Sequence, residues 1–153
     1  MSPIPDQALD LERPPRDDAR AVVLYVEDHP VNVLIMEALL HHRPHLRLVV
    51  ATTGEEGLQA ARIEQPDLIL LDYHLPDCNG VELLTQMRNL EGLGDIPAVA
   101  VSATDSAIQL RGSTFCEFWP KPLDVSQTLD AIDRLIDNPP PPRRAAAVDA
   151  LSG

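Results

Sequence analysis

Apolar runs of strand length alternate with stretches of helical period from residue 21 to residue 137. The runs at 21–26, 46–51, 68–71, 97–101 and 114–119 are almost continuously apolar. That pattern fits strands buried on both faces of a parallel sheet better than strands with one wet face. After Pro30, the residues Val31, Leu34, Ile35, Ala38 and Leu39 recur at helical spacing and predict a first helix with that stripe against the sheet. Positions 54–65 carry Leu58, Ala61 and Arg62 at helical spacing, and Pro66 ends them. Val81, Leu83, Leu84 and Met87 predict a third helix closing near Gly92, and a short fourth is expected over roughly 104–111 with Gly112 as its stop. Asp124 then caps a last helix whose Val125, Leu129, Ile132, Leu135 and Ile136 face the sheet. The pattern predicts a doubly wound α/β domain with a five-stranded parallel sheet and five helices.

The flanks differ in kind. Residues 1–20 place Pro3, Pro5, Pro14 and Pro15 among charges without apolar period, which predicts a disordered arm. Residues 138–153 begin with four prolines at 139–142, which favour an extended spacer, and continue through Arg143 and Arg144 into a small-residue tail. The folded unit is therefore expected over 21–137.

Charge narrows the function. Twelve basic residues against 24 acidic ones give a formal net charge of −12, which repels a nucleic-acid backbone. No apolar stretch approaches the roughly 20 residues that cross a bilayer, and no basic-then-apolar leader opens the chain, so a cytoplasmic protein is expected. Cys78 and Cys116 lack metal or redox spacing and are expected to stay as reduced thiols. His41, His42 and His45 cluster where the first helix ends, which suits imidazolium at a helix C-terminus better than a metal site, and His29 lies beside the acids at its start.

Four of the apolar runs hand over to polar groups suited to phosphate chemistry: Glu27 and Asp28, Asp72, Ser102, and Lys121, the only lysine in the chain. If the strands are parallel neighbours, these residues meet along the edge where open α/β sheets bind ligands. Gathered carboxylates repel unless a cation joins them, and an all-oxygen site suits Mg²⁺. Adjacent acids also suit a helix start, with Asp28 as a cap ahead of Pro30. Asp72, directly after four aliphatics and before a Pro- and Gly-containing turn, is placed to attack phosphorus and form an aspartyl phosphate. Ser102 could donate to one phosphoryl oxygen and Lys121 neutralise another.

The segments Tyr25-Val26-Glu27-Asp28-His29-Pro30-Val31-Asn32, Asp67-Leu68-Ile69-Leu70-Leu71-Asp72-Tyr73-His74-Leu75-Pro76 with Gly80, Val101-Ser102-Ala103 and Lys121-Pro122 together resemble a response-regulator receiver (CheY-like) domain of two-component signalling, in motif style closest to receivers of hybrid histidine kinases. The resemblance implies a flavodoxin-like fold with strand order 2-1-3-4-5, Mg²⁺ dependence, and phosphoryl transfer to Asp72 from a histidine kinase or a histidine phosphotransfer protein. It implies metal ligands at Glu27, Asp28 and Asp72 and at the backbone carbonyl of His74. It further implies a switch pair, Ser102 and Phe118, and a cis bond between Lys121 and Pro122. Positions matching His74 and Thr104 flank the phosphoryl group in relatives and are expected to tune its hydrolysis.

Three features depart from the pattern. The interval from Ser102 to Lys121 is short, which predicts a shortened fourth helix, the small-Gly-small element falls at Arg111-Gly112-Ser113, and Pro120 precedes the lysine. The expected function is a single-domain response regulator that signals to a downstream protein by phosphorylation-dependent binding, with no enzymatic activity beyond self-catalysed phosphotransfer and autodephosphorylation. The alternatives are a Mg²⁺-dependent phosphohydrolase with an aspartyl nucleophile, disfavoured because His74 stands where a second acid is usual, and a constitutive adaptor.

Overall fold

The computed structural model describes residues 20–103 and 107–141. Five strands, β1 (Ala21–Val26), β2 (Leu46–Ala51), β3 (Leu68–Leu71), β4 (Ala98–Ser102) and β5 (Glu117–Pro120), form one sheet in the order 2-1-3-4-5, and every pairing is parallel. The register aligns the strand ends: Val26 lies opposite both Ala51 and Leu71, Leu71 opposite Ala100, and Ser102 opposite Pro120. The chain adds β2 on one side of β1 and β3 to β5 on the other, so the carboxyl ends of the parallel strands open a crevice between β1 and β3.

Alternate residues of each strand feed two cores. Val23, Tyr25, Leu68, Leu70, Val99 and Val101 point into one, with Met36, Leu39, Leu129, Ile132 and Leu135. Leu24, Val26, Ile69, Leu71, Ala98 and Ala100 point into the other, with Ala61, Leu83, Leu84 and Met87. This double burial is why the strands read as unbroken apolar runs. Each fully buried Leu or Ile contributes about 1.5–3 kcal/mol. Helices α1 (Pro30–Leu40) and α4 (Val125–Asp137) cover the first face, and α2 (Gly54–Glu64) and α3 (Gly80–Arg88) the second. Local chemistry starts each helix: Pro30 at the first turn of α1, Thr53 capping α2, an Asn79–Glu82 capping box for α3 and Asp124 capping α4.

Several expectations need correction. On α1, Val31, Leu34 and Ile35 are 60%, 63% and 43% exposed, Ala38 is also exposed, and the buried stripe is Met36, Leu39 and Leu40. The helix is apolar almost all round, so spacing alone fits either of two opposite stripes. Val125, in the first turn of α4, is 54% exposed, and Arg62 at the end of α2 is exposed. Only one 3-10 turn, Ile108–Leu110, occupies the described part of the expected fourth helix, so four α-helices stand among the described residues. The last strand begins at Glu117 rather than residue 114, and α3 ends at Arg88 before Gly92, whose φ of +85° serves a turn. The arm at 1–19, the tail at 142–153 and Thr104 lie outside the described residues.

Candidate functional site

The ladder between strands continues one residue past their ends. Glu27 donates its N–H to the Ala51 carbonyl at 2.9 Å and Asp72 to that of Val26 at 3.1 Å. Both acids are thereby fixed by backbone at the crevice, Glu27 at 1% and Asp72 at 6% exposure, with Ser102 at 1% beside them and Asp28 exposed at the rim. Pro120 has no N–H to give, and the next amide, that of Lys121, donates to the Ser102 carbonyl at 2.9 Å. An edge strand accommodates such a proline. The Lys121–Pro122 peptide is cis.

The side chains converge. Lys121 Nζ lies 2.6 Å from Glu27 Oε1 and 3.5 Å from Asp72 Oδ2. Ser102 donates its hydroxyl to Asp72 Oδ1 at 2.9 Å, and the His74 N–H reaches the same oxygen at 3.4 Å. Burial, and then the charge of Glu27, push the Asp72 carboxyl above the usual carboxylate range, against the opposing pull of Lys121 and Ser102. Tyr25 donates its hydroxyl to Glu27 Oε1 at 3.0 Å, while the His29 N–H and Asn32 Nδ2 reach Oε2 at 3.1 and 3.3 Å. Burial and the Glu27 charge push the Tyr25 hydroxyl upward, so it serves as a donor.

Carboxylate oxygens of Glu27, Asp28 and Asp72 lie within 4.8 Å of one another, and among the described residues this is the cluster able to hold a metal ion. The donor set is oxygen only, with three carboxylates against one ammonium, and it fits a hard divalent cation. His41, His42 and His45 belong to no such cluster and stand exposed beyond α1. His29 is exposed and caps α1 without a side-chain bond. His74 is exposed at the rim with its ring edge-on to Tyr73. Phe118 is half-buried against the α2–α3 face and also lines a cavity of about 220 Å³ with Leu110 and Phe115. Cys78 and Cys116 form no disulfide.

Further residues support the site. Asp77 accepts the N–H groups of Gly54 and Glu55 at 2.7 and 3.0 Å, tying the loop after Asp72 to the start of α2. Gly80 opens α3 so near the acceptor strand that a Cβ there would stand 2.7 Å from the Asp72 carbonyl. Tyr25 had one available signal, a phenol within an aliphatic strand, which needs a buried partner.

The raised Asp72 titration has a signed consequence. Its folded form binds a proton more tightly than its unfolded form, so ionising it costs stability that is absent below the ordinary carboxyl range, grows with pH, and is complete above the raised value. In chelator without divalent cation, Asp72→Asn is expected to melt above wild type at neutral pH, with the gap closing as the pH is lowered through the raised value. Paired melting curves across pH check this, and a gap independent of pH would contradict it.

A doubly wound sheet with an acid pocket at its topological switch point belongs to the class of open α/β proteins that bind ligands at the carboxyl ends of their strands. Within that class, residues 23–133 match the response regulator receiver domain, and the chain belongs to that family. It is 31% identical over 116 residues to the polar-differentiation response regulator DivK of Brucella ovis, covering 72% of this chain and 91% of that one. It is 36% identical over 83 residues to the nitrate/nitrite response regulator protein NarL of Escherichia coli, a match spanning 54% of this chain but only 38% of NarL. Among solved structures, the receiver domain of the sensor histidine kinase PA1611 of Pseudomonas aeruginosa superposes with a TM-score of 0.71 at 25% identity, over 78% of this chain and all of that one, and has a magnesium ion coordinated in its active site cleft. No helix among the described residues is long and apolar enough to cross a membrane.

Proposed function

We propose that this receiver domain accepts a phosphoryl group on Asp72 from a protein phosphohistidine and, so charged, binds a downstream protein in the cytoplasm. The observation that carries the reading is the position of the Asp72 carboxylate, 2.9 Å from the Ser102 hydroxyl, 3.5 Å from the only lysine of the chain, and within 4.8 Å of two further acids. A carboxylate oxygen of Asp72 forms the bond to phosphorus as the phosphorus–nitrogen bond breaks, and the imidazole nitrogen keeps the electron pair. Lys121 and Ser102 are placed to meet the charge on the transferred oxygens. Glu27, Asp28, Asp72 and the His74 carbonyl would hold Mg²⁺, which would supply charge neutralisation at the acids and the phosphoryl oxygens. Ser102 and Phe118 then report the new charge by a shift between two packings, and His74 and Thr104 set the rate of hydrolysis. The domain performs no multiple-turnover chemistry on other substrates.

Donor access is favoured by the exposed face of α1. Val31, Leu34 and Ile35 run down the helix that begins two residues after Asp28, and apolar side chains left outside on a helix bordering an acid pocket suit a partner helix. Leu34→Asp is expected to slow transfer from a cognate phosphohistidine protein by about tenfold or more while leaving uptake from a small phosphodonor unchanged. Equal rates from the protein donor would remove this face from the interface. The function itself is tested by incubation with Mg²⁺ and a small phosphodonor: a stable phosphoprotein supports the acceptor, continuous release of phosphate the hydrolase, and no reaction the adaptor.

A further inference from the structure

The buried Glu27 carboxylate already receives four donors. Lys121 Nζ and the Tyr25 hydroxyl share Oε1, at 2.6 and 3.0 Å, while the His29 N–H and Asn32 Nδ2 share Oε2. Two carboxylate oxygens offer about four lone-pair sites, so a cation held by Glu27 would take the place of one of these donors. Tyr25 and Glu27 are two residues apart at the end of β1 and project to the same side of the sheet, so the phenol rises to the acid from the core covered by α1 and α4. Tyr25 is 1% exposed, and no water can replace its hydroxyl without opening that core.

Lys121 has two positions to serve. At rest it lies close against Glu27 and farther from Asp72. To meet a phosphoryl oxygen on Asp72 it must turn away from Glu27, and a buried carboxylate oxygen then loses its charged donor. Leaving such an acceptor unsatisfied is costly, and the cost would oppose the reaction. The phenol on the same oxygen removes that penalty.

We propose that Tyr25 is a positioning residue for phosphoryl acceptance: its hydroxyl keeps Glu27 Oε1 satisfied when Lys121 leaves for the phosphoryl group. The inference rests on Asp72 being the acceptor. It concerns the exchange of Lys121 between two partners and predicts an effect confined to the step in which the lysine moves.

The test uses the whole chain and Tyr25→Phe, which removes one oxygen and keeps the ring. Two affinities are measured by calorimetry: that for Mg²⁺ alone, with Lys121 still on Glu27, and that for beryllofluoride at saturating Mg²⁺, where this stand-in for the phosphoryl group draws the lysine across. The expected result is Mg²⁺ affinity within about twofold of wild type and beryllofluoride affinity lower by about tenfold, the scale of one hydrogen bond to a charged group. Equal losses in both affinities would mean that the hydroxyl only supports the pocket, and an unchanged beryllofluoride affinity would mean that it does nothing in the exchange; either overturns the proposal. A wild-type chain that binds Mg²⁺ but no beryllofluoride overturns the acceptor reading itself, a result distinct from any difference between wild type and variant.

Discussion

Asp72→Asn is expected to lose phosphoryl uptake by at least about 10³-fold, because the amide replaces the carboxylate proposed to attack phosphorus. The neighbours cannot substitute. Glu27 is 1% exposed and engaged by four donors, and Asp28 stands at the rim. The same change removes one of the three carboxylates that converge within 4.8 Å, so the variant should also bind Mg²⁺ more weakly. Loss of reaction together with a raised melting temperature in the absence of metal would be a paired signature of a buried charge kept for chemistry. Radiolabel transfer and thermal melting on one preparation check both.

The second large effect lies away from the crevice. Arg88, at the end of α3, donates to the Leu93 and Ile96 carbonyls at 3.0 and 2.5 Å and to the Thr114 hydroxyl and carbonyl at 3.1 and 3.4 Å. One guanidinium thus joins the connection from α3 to β4 with the segment that leads into β5, the segment that follows the 3-10 turn Ile108–Leu110. Burial draws its titration down from the ordinary value, yet the group stays charged because arginine starts so high. Arg88→Met keeps the aliphatic stem and deletes every donor, leaving several half-buried acceptors unpaired. A loss of about 2–4 kcal/mol is expected in urea denaturation. A loss below about 0.5 kcal/mol, the level of ordinary surface substitutions, would show that water replaces these bonds without penalty.

How much of this was legible in the sequence depends on where the information resides. The alternation of strands and helices was, because strands buried on both faces leave unbroken apolar runs such as 68–71, and because a cap such as Asp124 acts within a few residues. The site was legible for a related reason: each of its residues terminates a run, and a parallel sheet brings run ends together. The orientation of α1 was not legible. Its apolar residues encircle the helix, and only the packing of Met36, Leu39 and Leu40 against β1 and α4 decides which face turns inward. The shortening of the fourth helix was legible in the short interval from Ser102 to Lys121, whereas the start of β5 at Glu117 depends on pairing with β4, which no local pattern encodes. Contacts distant in sequence, such as Asp77 with the start of α2 or Arg88 with Thr114, leave no periodic trace at all.

On the function proposed above, one carboxylate at the end of β3 receives the phosphoryl group in a pocket that needs a divalent cation. The most direct measurement is to incubate the purified chain with a labelled phosphodonor, with and without Mg²⁺, trap the acyl phosphate by borohydride reduction, and locate the modified residue by mass spectrometry. A single Mg²⁺-dependent modification at Asp72 is expected. Label on a histidine or on Ser102, or uptake undiminished in chelator, would contradict it.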